Sequence, residues 1–216
     1  FVSSAKKEVF GDVGIDIIAG PSEITVVADK FSNADWIAAD LLAQAEHDTN
    51  SQCILISKDK NFINRVKTSL INQLKDLPRK LIAKKSLILN GILIHIRSDK
   101  QIIDIVNMIA PEHLELNIKN YKKIVTKIKN AGSICLGKYS AMAITDYNAG
   151  TNHILPTNSS AKFSSGLSVY DFYKKISYIN LSKKGIETLG PSVITLANFE
   201  GLEGHAKSIK LRIRRK

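Results

Sequence analysis

The stretch Ile24-Thr-Val-Val-Ala28, followed by Asn33 to His47 and then Cys53-Ile-Leu-Ile-Ser57, decides the fold. Its two ends are short β-branched and aliphatic runs, while the middle is rich in Ala and Leu, strong helix formers. A strand, a helix and a second strand in that order read as a βαβ unit, which requires a parallel sheet. Working outward, the same texture predicts strands at Gly91 to Ile96 and Ser133 to Leu136. Helices are expected at Lys60 to Lys75, Lys100 to Ile109 and Asn120 to Asn130. Ser32 with Asp35 resembles a capping box, Pro111 tends to end the helix before it, and Gly132 reads as a helix stop.

The expected class is therefore α/β: a Rossmann-like, mostly parallel sheet flanked by helices, plus a small helical C-terminal module. After Gly137 the pattern breaks at Gly150, Pro156 and a Ser/Thr/Asn cluster from Thr157 to Ser165. From Leu167 an aromatic patch at Val169 to Tyr173 precedes helices expected at Pro191 to Phe199 and Leu202 to Arg215. Residues 22–166 form the expected central domain, residues 167–216 the C-terminal module, and residues 1–21 the tail of a preceding Rossmann-like domain. Because residue 1 is Phe and no charged leader precedes an apolar run, the chain reads as the continuation of a longer polypeptide.

Composition narrows the function classes. With 216 residues, 44% of them hydrophobic, the chain can bury a core. No window approaches the run of about 20 apolar residues that a membrane span needs, so no membrane partner is expected. Cys53 and Cys135 each lie in an apolar run, which suits buried reduced thiols and a cytoplasmic location. The net charge of +11 invites a basic nucleic-acid-binding protein as the competing reading. The lysines, however, are spread along amphipathic segments and are dense only at Lys210 to Lys216, as on solvated helix faces. No nucleic-acid partner is expected, and weak, salt-insensitive retention on DNA would separate the two readings.

Four constellations can carry chemistry. Gln44 and His47, three apart, share one face of the Asn33 to His47 helix, as a pair sharing a ligand or as a helix end with a surface polar group. In Ala110-Pro-Glu-His-Leu-Glu-Leu116, Glu112 and His113 are expected on a turn, as a proton-handling pair or an exposed loop pair. Asp146, Asn152 and His153 crowd around Gly150, as ligands or as an Asx-rich turn. His205, in Glu200-Gly-Leu-Glu-Gly-His-Ala206, is a metal ligand or a solvent-facing residue. Gly11, Gly14 and Gly20 make no dinucleotide fingerprint, and no phosphate loop occurs.

Taken together, Ile-Ala-Gly-Pro-Ser-Glu at 18 to 23, the segment from Asp35 to Asp48, Ala-Pro-Glu-His-Leu-Glu-Leu at 110 to 116 and Phe-Ser-Ser-Gly-Leu-Ser-Val-Tyr-Asp-Phe at 163 to 172 resemble the histidinol dehydrogenase family. The resemblance runs from near residue 1 to about Arg212, with Thr145, Thr151 and Lys162 departing from the residues usual there. It implies one zinc ion per subunit held by Gln44, His47, Asp146 and His205, with Glu112 activating water and His113 as the acid/base. Ser22, His153 and Glu200 would contact the substrate L-histidinol, together with His113 and the zinc ligands. The implied reaction is a two-step, NAD-dependent oxidation through L-histidinaldehyde to L-histidine, closing histidine biosynthesis. The resemblance also implies a homodimer whose C-terminal module crosses to the partner, and NAD contacts carried mostly by the family's other half. An inactive remnant of such an enzyme is a further alternative.

Overall fold

The structure is a computed structural model in which residues 1–213 are described. Five strands make one wholly parallel sheet: β1 (Glu23–Ala28), β2 (Gln52–Ser57), β3 (Gly91–His95), β4 (His113–Asn117) and β5 (Ser133–Leu136), in the order β3-β2-β1-β4-β5. Helix α1 (Val2–Val9) precedes the sheet; α2 (Ala34–Ala45), α3 (Lys60–Gln73), α4 (Lys80–Asn90), α5 (Asp99–Ile109) and α6 (Tyr121–Val125) connect the strands, and α7 (Met142–Tyr147) follows β5. The α/β, mostly parallel expectation holds.

Two apolar layers sandwich the sheet. Ile24, Val26 and Leu55 pack against Ile37, Leu41 and Phe62 on one face, while Val27, Ile56, Leu114 and Leu116 pack against Ile102, Val106 and Ile124 on the other. Central parallel strands are covered on both faces, which is why β1 is buried along its whole length. Cys53 and Cys135 are buried free thiols, and burial pushes both up to about 12. Among the described residues no helix is long and apolar enough to cross a membrane.

Several expectations are corrected. The Ala110 to Leu116 segment is no exposed turn: from His113 it is β4, hydrogen-bonded between β1 and β5 and buried at every position. The cap of α2 is Asn33, whose side chain accepts the N–H groups of Asp35 and Trp36, whereas the Ser32 hydroxyl donates to the Asn117 carbonyl. The helix expected over Asn120 to Asn130 ends at Val125, so Gly132 is not its stop but the entry to β5. Helices α1, α4 and α7 are additions.

The chain divides into two compact units, Phe1–Phe172 and Tyr173–Lys216. The second contains α8 (Lys183–Phe199) and α9 (Glu203–Ile213), packed together where Gly190 lets the helices approach; a Cβ there would lie 2.9 Å from the Ile209 side chain. The helix expected to begin at Pro191 starts earlier, because the Ser182 hydroxyl accepts the Gly185 N–H and caps it, and α8 runs on through Pro191. Residues 214–216, the end of the helix expected to reach Arg215, lie outside the described residues.

Candidate functional site

Each strand of the parallel sheet begins at the same end, and there Glu23, Glu112, His113 and Asp146 come together. Helix α5 closes with Ala110 in the left-handed region at φ 51, where its N–H donates to the Val106 carbonyl. A non-glycine residue there costs about 1–2 kcal/mol, but the sharp turn aims Pro111 and Glu112 straight into β4. The Gly132 N–H then donates to the Pro111 carbonyl at 2.9 Å and the Ser133 N–H to the Glu112 carbonyl at 2.8 Å. A Cβ on Gly132 would stand 2.6 Å from that Glu112 oxygen, so only glycine permits the approach.

The Glu112 carboxylate faces the start of β1, where its Oε2 accepts the Glu23 N–H at 2.8 Å. Burial pushes Glu112 up to about 7; the Glu23 N–H opposes the rise, and the Glu23 and Asp146 carboxylates add to it. His113, paired in register with Ile24 and Ser133, is 3% exposed. Its Nε2 stands 3.8 Å from Glu112 Oε1 and 3.7 Å from Asp146 Oδ1, too far for direct hydrogen bonds but close enough for one bridging polar group. Burial pulls His113 below its ordinary value; Asp146 opposes this, while His153 and His47 reinforce it. A neutral, proton-accepting imidazole results.

Asp146 lies on α7, and its Oδ1 is 3.2 Å from His153 Nδ1. The Thr151 hydroxyl donates to the Thr145 carbonyl and ties the intervening loop to α7. Gln44 reaches the same end of the sheet because α2 returns the chain from the end of β1 to the start of β2. Its side chain is 1% exposed, and neither its amide oxygen nor its amide nitrogen has a partner. Buried polar groups are almost always satisfied, so an orphaned amide marks a place for a ligand. His47 follows α2, exposed, and Ser22 is half-buried just ahead of β1.

The predicted residues of the first unit thus converge in part: Glu112, His113, Asp146 and His153 form a chain of neighbours, with His47 close enough to bear on the charge of His113. Glu200 caps the end of α8 and His205 lies on α9, both exposed. Among the described residues no group of three or more His, Cys, Asp and Glu side chains forms a ready metal cage. Sequence reasoning missed Glu23, whose buried carboxyl accepts the Asn158 N–H and crowds Glu112. The signal lay in its position as the first residue of a fully buried strand.

A family model described as histidinol dehydrogenase matches residues 1–213. The histidinol dehydrogenase of Pelagibacter ubique is 73% identical over 100% of this chain and 51% of its own length; that of Hydrogenovibrio crunogenus is 49% identical over 99% and 49%. The crystal structure of histidinol dehydrogenase from Elizabethkingia anophelis aligns with a TM-score of 0.89 at 42% identity, covering 99% of this chain and 49% of that one. The chain spans about half the length of the curated relatives it matches. On the matched residues and these relatives, the chain belongs to the histidinol dehydrogenase family.

Proposed function

We propose that the complete protein oxidises L-histidinol to L-histidinaldehyde and then to L-histidine, passing two hydrides to NAD at one zinc site. The observation that carries the reading is the buried row of Glu112, His113 and Asp146, with the unpartnered amide of Gln44 on the neighbouring helix. The residues fit a zinc ion, since a mixed nitrogen and oxygen donor set suits it and the Gln44 amide otherwise has no reason to be buried unpaired. Gln44, His47 and Asp146 would hold the metal with His205, the last supplied by the partner subunit in a homodimer. When bound, the metal supplies a template that orients the imidazole and amino groups of the substrate.

The chain's own residues handle the protons. His113, kept neutral by burial, accepts at Nε2 the proton of the alcohol as the hydride leaves. Glu112, ionising at about 7, takes a proton from the water that adds to the aldehyde. As that water adds, His113 returns its first proton to the carbonyl oxygen, and, neutral again, it accepts the proton of the resulting hydrate in the second oxidation. Ser22 and His153 complete the contacts to the substrate with Glu200, which like His205 would come from the partner subunit in a homodimer.

The test is zinc content and histidinol-dependent NADH formation by the complete polypeptide. Two NADH per histidinol are expected, and Glu112→Gln should slow the second oxidation more than the first, so that the yield approaches one. His205→Asn should lose zinc and rate while the dimer persists. A zinc-loaded complete protein that makes no NADH from histidinol would sink the reading; an unaffected His205→Asn variant would remove the C-terminal module from the site.

A further inference from the structure

Glu115 and Asp40 stand outside the proton-handling row, yet between them they touch the elements that carry it. Glu115 lies on β4 and is 2% exposed. Its Oε1 accepts the N–H of Met142, the first residue of α7, at 2.7 Å. Its Oε2 is buried with no donor among the described residues, and the neighbour it meets is the carboxyl of Asp40 on α2. No Lys, Arg or His among the described residues forms an ion pair with either group. Two carboxylates in contact away from solvent cannot both ionise cheaply, and such pairs share a proton. A hydrogen bond between them exists only when one oxygen carries hydrogen.

We propose that Glu115 is a neutral carboxylic acid in the folded protein, donating to Asp40 while accepting from Met142, and that it is the positioning residue holding α2, β4 and α7 in register. Of the two groups, Glu115 is the more buried, and burial with the Asp40 charge pushes it well above the carboxylate range. Asp40, half-buried, is raised by burial only to about 6, with its hydrogen bond to Glu115 favouring its ionised form. The Cys135 thiol on β5 is close enough to feel both carboxyls and brings no positive charge to them. The three elements pinned here carry Gln44, His113 and Asp146 respectively, so the consequence for catalysis, though not the protonation itself, rests on the function proposed above.

The experiment is infrared spectroscopy of the complete polypeptide with isotope-labelled glutamate, at about pH 8, where free glutamate is fully ionised. A labelled carboxylic-acid carbonyl band is expected, and it should vanish in Glu115→Gln. That amide can still donate to Asp40 and accept from Met142, so the variant should keep its melting temperature and zinc affinity. Glu115→Ala should bind zinc about 10- to 100-fold more weakly, the usual cost of losing an outer support of a metal site. Absence of the band, its survival in Glu115→Gln, or damage in the Gln variant as deep as in the Ala variant would overturn the proposal. Where no variant binds zinc, the band and the melting temperatures still decide it, while the proposed function fails on its own.

Discussion

The two ends of one parallel sheet differ in how completely they satisfy their own polar groups. In doubly wound folds ligands usually lie beyond the carboxyl ends of the strands, at the point where the strand order reverses. Here that point falls between β1 and β4, and a crevice of about 370 Å³ lies there, lined by Asp29, Ser32, Asn117 and Lys119 among others. Its polar groups are closed on one another: the Lys119 N–H donates to Asp29 at 2.9 Å and the Ser32 hydroxyl to the Asn117 carbonyl. The amino ends are the opposite, with Gln44 and His113 Nδ1 buried and unpartnered. The lesson is that the fold supplies candidate places, and unsatisfied chemistry chooses among them.

The sharpest way to break this comparison is to substitute both ends of the same strand pair. His113→Asn should lower the oxidation rate by about 10²- to 10⁴-fold, the range for losing a positioned acid/base. Lys119→Ala, at the other end, should leave the rate and stability unchanged within about 0.5 kcal/mol. Equal losses at the two ends would move the site to the crevice.

Next in size is Gly132→Ala, whose new methyl meets the Glu112 carbonyl. It should destabilise by about 1–3 kcal/mol, read as a lower melting temperature, because backbone cannot yield as a side chain would. A pH series sharpens the role of Glu112. Its folded value of about 7 exceeds the unfolded value near 4.5, so the stability linked to its protonated form is complete below about 4.5 and is lost as pH rises through about 7. In metal-free protein Glu112→Gln should therefore gain melting temperature relative to the unsubstituted protein across that window. Parallel curves would mean that Glu112 is not raised. Smallest is Asn33→Ala, which removes the cap of α2 and should cost about 1 kcal/mol while leaving the rate almost unchanged.

Much of the fold is legible in the sequence where packing and local preference agree. The β1-α2-β2 unit reads directly because its strands are β-branched and its helix is Ala- and Leu-rich. Strand β4 hides because His113, Glu115 and Asn117 alternate with Leu114 and Leu116, which looks like a half-exposed segment. Tertiary context overrides that pattern: β1 and β5 flank it, and its Glu115 side chain is buried against the Met142 N–H group and Asp40. The α8 start hides because Pro191 is a favoured first helical residue, and only the Ser182 cap reveals the earlier turns. Gln44, His113 and Asp146 are identifiable as candidates, but the support from Gly132 and Glu115 comes from contacts with distant segments and leaves no local signal.

The strand order also has a consequence for biosynthesis. Glu23 and Glu112, whose bond closes the site, are separated by 89 positions, and β4 docks beside β1 only after β2, β3 and four helices have been made. Until then β1 is an open sheet edge with Ile24, Val26 and Val27 awaiting cover, a surface that invites pairing with other nascent chains. A ribosome that stalls after Ile96 therefore holds its product at the most aggregation-prone stage. Codon changes that slow synthesis between Ile96 and Asn117 should raise the insoluble fraction more than equal slowing after Leu136.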